Sequence, residues 1–473
     1  MSTFKLGLAI AAAIPLLLGT GCNNSTIGGE GTDDGGTNED LAPPPPPPIP
    51  GCTGACVVNT SCSSATGPTT LTGTVTIPSG LLPLYNAKVY IPTGTSLPPA
   101  PPSGATCDRC DATTDAIAST TTDINGKFTL TNVPSGQNIP LIIKVGKWRK
   151  VVTIPSVTDC TTTPLAAADT RLPRNKNEGN IPQIALSTGS ADALECILRN
   201  KKLGLDDSEF STEKGTGRVH LYRGANGVPK FATSLNGGAT LTAAQQTGGA
   251  TKSWYDDINN WSKYDIVMLS CEGGELTAYK SPQAIQNLET YLGMGGRVFA
   301  SHYHYAWMKY ADATKQQIPK VVTAWGTGNT LGTGTVVDDI DTNFDRGNAL
   351  ADWLMLPAVN GSTTRGKISI GQARTSVNTI DSKLTQRWIR YQQTATTALP
   401  QYFSFNAPVG AQASAQCGQM VFTDLHVSSG GGDSSPDTGD FPTQCTATTM
   451  SAQEKALIFM LFDLTNCLSP IVG

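Results

Sequence analysis

Histidine and carboxylate side chains mark the part of the sequence best suited to chemistry. The chain has only 4 His in 473 residues. Three of them, His302, His304 and His426, follow short apolar segments that are typical of buried strands, and Glu272 follows another such segment. In open α/β sheets, ligands bind beside the carboxyl ends of the strands. These four residues are therefore candidates for a general acid and base, and the three His are candidate ligands of a divalent metal.

Aromatic residues surround the first two histidines. Tyr303, Tyr305 and Trp307 interleave with them or follow them, and Asp424 lies just before His426. We expect these four side chains to contact a ligand. A second interpretation is that the histidines only hydrogen-bond within an aromatic core. No cofactor is expected apart from a divalent metal.

Strand-like and helix-like segments alternate between residues 180 and 473. This alternation predicts an α/β domain with a mostly parallel sheet in three layers. The predicted strands are residues 181–186, 217–222, 265–270, 297–301, 367–370, 402–405 and 419–422. The predicted helices are residues 190–203, 281–292, 301–311 and 451–467.

Two motifs in this domain carry a resemblance to a known family. Residues 264–269 (YDIVML) with 288–302 (LETYLGMGGRVFASH), and residues 418–426 (GQMVFTDLH), resemble the class I glutamine-amidotransferase-like fold of the trehalose-utilisation type. In that family the nucleophilic Cys follows the strand that here ends at Ser301. The sequence there is SHYHY, without Cys. The resemblance therefore implies the fold without Cys-dependent glutamine hydrolysis, and Cys271 lacks the spacing of a nucleophile elbow.

Residues 52–165 show the pattern of a small β-domain. Short alternating segments at 71–77, 87–92, 122–130, 141–145 and 150–154 are separated by turn signals such as Asn125-Gly126. The order GTV, AKVYIP and TDINGKFTLTNVPSG resembles carboxypeptidase regulatory-like domains, which have a transthyretin-like β-sandwich fold. The resemblance implies a structural, carbohydrate-contacting or protein-contacting module. The predicted fold class is thus α/β plus all-β: a small β-sandwich followed by a mostly parallel three-layer α/β domain.

The chain has 12 Cys, and most of them are predicted to form disulfides. Cys107 and Cys110 form a CxxC motif that is also a zinc half-site or a redox motif. Disulfides fit better, because a second half-site is absent from the sequence and exported proteins keep disulfides. The disulfide candidates are Cys52, Cys56, Cys62, Cys107, Cys110, Cys196, Cys417, Cys445 and Cys467.

Two disulfide pairs are suggested by position, namely Cys417 with Cys445 and Cys196 with Cys467. With one Cys used as a lipid anchor, an odd number of thiols remains. Cys271, at the end of a predicted buried strand, is the candidate for the unpaired thiol.

The N-terminus indicates export. Lys5 precedes an apolar run at residues 6–18, which is too short to cross a membrane and is typical of a signal peptide. The residues before Cys22 resemble a bacterial lipobox, so residues 1–22 are predicted to be a lipoprotein signal and Cys22 the lipidated residue. The alternative is an ordinary secretory signal cleaved nearby. Residues 23–51 are Gly-rich and acidic and then Pro-rich, which predicts a disordered tether with a stiff end.

Composition narrows the range of functions. Lys plus Arg number 33 and Asp plus Glu 37, for a net charge of −4, and the chain lacks a basic run, so nucleic acid is excluded as a main partner. The whole architecture resembles uncharacterised myxobacterial-type lipoproteins. We expect an exported cell-envelope lipoprotein, anchored in the outer membrane, with a binding or structural role and a glycan or an envelope protein as ligand. The alternative is a metal-assisted or His-based hydrolase that acts on an envelope or carbohydrate substrate. The sequence does not decide whether the chain is an enzyme, and it favours a protein without enzymatic activity.

Overall fold

The computed structural model describes residues 47–108, 115–244, 253–332, 334–427 and 439–466, together with Leu468 and Ile471. The predicted signal peptide, Cys22 and nearly all of the predicted tether lie outside the described residues, as do Cys110 and Cys467. The described part of the chain is mixed α and β and contains more strand than helix. Within these ranges, none of the helices combines the length and the apolar character that crossing a membrane requires.

Residues 53–170 form two sheets and a single helical turn. Their elements are β1 (Thr53–Val57), β2 (Thr70–Thr74), β3 (Lys88–Pro92), β4 (Ala116–Thr121), β5 (Lys127–Thr131), β6 (Ser135–Val145), β7 (Trp148–Val157), β8 (Thr162–Pro164) and α1 (Ala167–Thr170). One sheet has the order β1-β6-β3-β4 with β7 also paired to β6, and the other has the order β5-β2-β8. All five strands of the first sheet pair antiparallel.

The predicted turn at Asn125-Gly126 is confirmed. Gly126 has a φ of +72° and its amide donates to the Asp123 carbonyl. The Asp123 side chain accepts hydrogen bonds from the amides of Asn125 and Lys127. This hydrogen-bonded turn therefore leads directly into β5.

The rest of the chain is built on a ten-stranded sheet. The elements are β9 (Ile184–Thr188), α2 (Leu194–Leu198), β10 (Phe210–Ser211), β11 (Val219–Arg223), α3 (Ile258–Trp261), β12 (Ile266–Leu269), α4 (Pro282–Gly293), β13 (Arg297–Ser301), α5 (Ala306–Lys309), β14 (Val322–Trp325), β15 (Thr335–Ile340), α6 (Asp345–Met355), β16 (Lys367–Gly371), β17 (Val377–Ile380), β18 (Gln386–Gln392), β19 (Ala398–Ala407), β20 (Gly418–Thr423) and α7 (Ala452–Thr465). The order in the sheet is β10-β11-β9-β12-β13-β20-β19-β18-β15-β16, while β14 and β17 form a separate pair.

The sheet is parallel in one half and antiparallel in the other. The six strands from β10 to β20 in this order pair parallel. From β20 to β16 the neighbours pair antiparallel. Every residue of β12, β13 and β20 is buried, which explains why these strands read as continuous apolar runs.

Two helices begin where their caps predict. Ser281 accepts from the Ala284 amide and Pro282 follows it, so α4 starts with a side-chain cap and a proline at its first turn. Ser451 and Glu454 form a reciprocal capping box at the start of α7. The predicted helix at residues 190–203 is wrong over most of its length, because only the five residues of α2 are helical.

Disulfides connect distant parts of the described chain. The pairs are Cys52–Cys56, Cys62–Cys160, Cys107–Cys417 and Cys196–Cys445. The two suggested pairings are therefore wrong: Cys417 is bonded to Cys107 rather than to Cys445, and Cys196 is bonded to Cys445 rather than to Cys467. Segments far apart in sequence meet in the fold, and position along the chain does not reveal this. The disulfides indicate a non-cytoplasmic compartment.

Residues 46–473 form one compact unit. The Cys107–Cys417 bond joins the segment after β3 to the start of β20. A partly buried ion pair of 2.6 Å joins Lys147, between β6 and β7, to Asp265 beside β12. The indole of Trp353 in α6 donates to the Pro83 carbonyl at 2.9 Å. The small sheets therefore pack directly on the large one.

Candidate functional site

The candidate site lies at the carboxyl ends of three neighbouring parallel strands. Strand β13 pairs with β12 on one side and with β20 on the other, and the register places Leu269, Ala300 and Phe422 side by side. Cys271 follows β12 by two residues and His302 follows β13 directly. His426 comes three residues after β20. Because parallel strands end at the same edge of a sheet, these side chains meet there.

Cys271, His302 and His426 form a compact cluster. The Cys271 Sγ lies 3.5 Å from the His302 Nδ1 and 3.5 Å from the His426 Nε2. The two imidazole nitrogens are 3.0 Å apart. Cys271 is 0% exposed and His302 1% exposed, whereas His426 is only partly buried. The cluster therefore approaches the surface on the side of His426.

The turn that presents His302 is strained. His302 has a φ of +35°, which non-glycine residues rarely adopt. It leads from β13 into a short 3₁₀ turn, His302–Tyr305, and then into α5. Strain of this kind persists where the surrounding structure enforces it, often at functional sites.

Groups around the cluster orient its ligand atoms. The Gln372 Oε1 lies 2.6 Å from the His426 Nδ1. An amide oxygen can only accept a hydrogen bond, so the His426 Nδ1 carries the proton. The lone pair of the His426 Nε2 therefore faces the cluster. The His302 Nε2 is buried without a hydrogen-bond partner among the described residues.

Burial keeps all three groups neutral in the protein alone. It lowers the pKa of His426 to about 4, with help from the nearby Arg374 guanidinium. Burial also lowers the pKa of His302 well below its usual value, and raises the pKa of the Cys271 thiol. Neutral imidazoles are the form that binds metals.

The distances in the cluster match a tetrahedral metal site. For zinc bonds of about 2.0–2.1 Å to nitrogen and 2.3 Å to sulfur, tetrahedral angles place two nitrogens about 3.3 Å apart and nitrogen and sulfur about 3.5 Å apart. The observed separations are 3.0 Å and 3.5 Å. The three ligand atoms lie within 4.8 Å of one another. One thiol and two imidazoles are ligands that zinc and copper favour.

The structure does not bring His304 and Glu272 into this cluster. The His304 Nε2 lies 2.8 Å from the Ser270 carbonyl, and its Nδ1 accepts from the Trp307 indole at 3.0 Å. Both ring nitrogens are thus engaged, and burial lowers the pKa of His304 to about 4. Glu272 forms a buried ion pair of 3.1 Å with Lys280 and accepts from the Ala225 amide.

The four residues predicted to contact a ligand take different positions. The Tyr303 ring packs against the His302 ring at a tilt of 51°, with centroids 4.0 Å apart, and Tyr303 is partly exposed. Trp307 is fully buried and belongs to the core. Tyr305 donates to Glu275 at 2.5 Å. Asp424 is fully buried, and one carboxylate oxygen accepts from the amides of Ser376 and Val377. Tyr303 and Tyr305 therefore both have ring contacts with the cluster, since the Tyr305 ring lies edge-on to the His302 ring with centroids 6.3 Å apart.

Cys271 is the cluster member that sequence reasoning assigned no site role. It lies 31 residues before His302 and 155 before His426, so no local spacing pattern reveals it. The signal that could have found it is its place at the end of an apolar strand, the criterion that selected His302 and His426. It is the free cysteine within the described chain.

Comparison with known proteins leaves the family open. No protein-family model matches the chain, and no curated protein matches it. Among solved structures, a cytoplasmic protein from Salmonella typhimurium is similar at 11% identity and a TM-score of 0.28, covering 52% of this chain and 81% of its own. A cohesin–X-dockerin complex from Acetivibrio cellulolyticus is similar at 16% identity and a TM-score of 0.15, covering 27% and 79%.

Proposed function

We propose that this chain is an exported envelope protein that binds one zinc-class cation through Cys271, His302 and His426. The observation that carries the proposal is the mutual separation of the three ligand atoms, 3.0 to 3.5 Å, at the ends of three adjacent strands. Three protein ligands leave a fourth tetrahedral position for water or for a ligand donated from outside.

The proposal includes a lipid anchor in the outer membrane. The support is the lipobox-like sequence that ends at Cys22 and the Pro-rich tether that follows it. The disulfides of the folded part agree with an oxidising compartment. Lipidation is tested by mass spectrometry of the N-terminal peptide, with Cys22→Ser as the control.

The proposed fold assignments are a transthyretin-like sandwich for residues 52–165 and an amidotransferase-like α/β domain for residues 180–473. The two small sheets support the first, and the six parallel strands support the second. In the second, the strained turn after β13 carries His302 where amidotransferases carry their Cys. The proposed domain therefore holds a metal ligand at its nucleophile position.

Binding is favoured over hydrolysis because the carboxylates next to the cluster in sequence are held elsewhere. Glu272 is paired with Lys280, and Asp424 is held by two backbone amides. A metal-assisted hydrolase needs a group that moves a proton to or from the attacking water. A glycan or an envelope protein remains the proposed partner of the whole molecule.

A thiol hydrolase is the second candidate, favoured by one hydrogen-bonded chain. Cys271, His426 and Gln372 follow one another at 3.5 Å and 2.6 Å, as a nucleophile, a base and an orienting group would. Complete burial raises the pKa of the thiol and shields it from a substrate. Fast iodoacetamide labelling of Cys271 together with thiol-dependent ester hydrolysis would favour this candidate.

The metal proposal is tested by metal analysis of the purified chain. We expect about one zinc ion per chain after dialysis against zinc, and a large loss in Cys271→Ser, His302→Gln and His426→Gln. Cobalt substitution should give a thiolate charge-transfer band that Cys271→Ser removes. The control variant Asp352→Asn, in an exposed ion pair, should keep the metal.

The metal proposal fails if the wild-type chain takes up neither zinc nor copper and its thermal unfolding is unchanged by either ion. It also fails if well-folded cluster variants bind as much metal as the wild type. Copper uptake with the same dependence on the three residues would assign the site to copper.

A further inference from the structure

A second candidate site lies beside β11 and shares no residue with the Cys271 cluster. It is a cavity of about 510 Å³. Its lining includes Gln183, Glu213, His220, Tyr222, Asn260, Lys263 and Tyr264. The volume lies within the range of about 300–1,000 Å³ that is usual for small-molecule sites.

The wall of this cavity holds a fixed polar network on an aromatic base. The Tyr264 hydroxyl lies 2.8 Å from the His220 Nδ1 and 2.7 Å from the Tyr222 hydroxyl. The Trp254 ring also lines the cavity, with its centroid 4.8 Å from that of the Tyr222 ring. Each residue of this network also packs in the core or in β11, so the positions of the polar groups are set before any ligand arrives.

Glu213 contributes an unpartnered acceptor. Its Oε1 accepts from the Thr242 hydroxyl at 2.8 Å. Its Oε2 is buried and has no hydrogen-bond partner in the described parts of the chain. A buried carboxylate oxygen without a donor is costly, and a donor supplied by a ligand would remove that cost.

We propose that this cavity binds a short neutral saccharide of one or two rings. The lining combines the Glu213 carboxylate and the Lys263 ammonium with amides and hydroxyls. The Gln183 and Asn260 amides each donate one hydrogen bond, at 3.2 Å, to the carbonyls of Gly217 and Trp254, and the second N–H and the oxygen of each amide can serve a ligand. A ligand with many hydroxyl groups satisfies such a set, because each hydroxyl also donates and accepts. A ligand with a single ammonium group would satisfy Glu213 and leave the neutral groups to water.

The proposal is tested with the full chain and a panel of probes: glucose, galactose, mannose, N-acetylglucosamine, maltose and cellobiose. Saturation-transfer NMR should detect at least one of these sugars, and calorimetry should give its affinity. Glu213→Gln should weaken that affinity about 10-fold to 100-fold, since a hydrogen bond to a charged group is lost. Tyr264→Phe should weaken it about 3-fold to 10-fold. Asp345 is an exposed acidic residue outside the cavity, so the control variant Asp345→Asn should bind the sugar with the affinity of the wild type.

The saccharide proposal is overturned if none of the six sugars gives a signal at millimolar concentration. It is also overturned if folded Glu213→Gln and Tyr264→Phe bind the sugar as tightly as the wild type, or if butylammonium binds and the sugars do not. Loss of metal in the cluster variants is a separate result, because the two sites have no residue in common.

Discussion

At the scale of single residues, Asp338 in β15 has an environment that opposes its charge. The side chain is fully buried, and neither carboxylate oxygen has a hydrogen-bond partner within the described ranges. Burial, together with the Asp339 carboxylate, raises the pKa of Asp338 to about 7. Between pH 4 and 7 the folded chain therefore holds a proton that the unfolded chain has released. By linkage, this residue makes the free energy of unfolding fall as the pH rises through that window.

Asp338→Asn should remove this pH dependence. We expect the variant to match the wild type near pH 4 and to gain up to about 4 kcal/mol in the free energy of unfolding at pH 8. Urea unfolding at pH 4.5, 6 and 8 measures the difference. Asp352→Asn, in an exposed ion pair, is the control and should leave the slope unchanged. A gain that is equal at all three pH values would contradict the prediction.

The candidate site was predictable from the sequence in part. His302 and His426 could be found because each follows a recognisable apolar strand, and parallel strands bring their ends together. His304 could not be separated from them, since its engagement with Ser270 and Trp307 depends on tertiary contacts. Cys271 meets the same end-of-strand criterion, but it was interpreted only as an unpaired thiol, and its contacts with the two histidines depend on the fold.

At the scale of elements, local sequence patterns predicted the positions of β13, α4 and α7. Strand β13 occupies the predicted residues 297–301, and α4, at Pro282–Gly293, lies within one residue of the predicted helix at 281–292. The antiparallel half of the sheet was not predicted, because periodicity shows which residues face the core but not the direction of the neighbouring strand. The helix predicted at residues 190–203 is cut short where Arg199 becomes extended and bridges Leu205. A local bridge within the same segment replaces the helical conformation there.

The cap of α7 supplies a prediction at this scale. Ser451 accepts from the Glu454 amide, and the Glu454 carboxylate, which accepts from the Ser451 amide, also pairs with the buried Lys202 at 2.5 Å. Ser451→Ala should lower the free energy of unfolding by about 1 kcal/mol, because a helix amide loses its acceptor. Ser451→Asp keeps an acceptor and should stay close to the wild type. Equal urea midpoints for the Ala and Asp variants would show that the cap does not contribute.

At the scale of the whole molecule, the disulfides differ widely in the length of chain they close. Cys107 and Cys417 are 310 residues apart in sequence, whereas Cys52 and Cys56 are 4 apart. The long bond ties the segment after β3 to the sheet that carries Cys271, His302 and His426. A bond of this kind restricts the unfolded chain far more than a short one does.

The double variant Cys107→Ser/Cys417→Ser should therefore lower the free energy of unfolding by about 2–5 kcal/mol. The matched double variant Cys52→Ser/Cys56→Ser should lower the free energy of unfolding by less. The loop that this short bond closes is small, so opening it adds little entropy to the unfolded chain. Urea unfolding of both variants beside the wild type measures the two losses. A loss from the short bond as large as that from the long one would mean that native contacts, rather than the freedom of the unfolded chain, set the contribution of these bonds. Since the five residues of β13 pair with Gln419 to Thr423 of β20 independently of this disulfide, we expect the long-bond variant to keep the proposed metal stoichiometry while it loses stability.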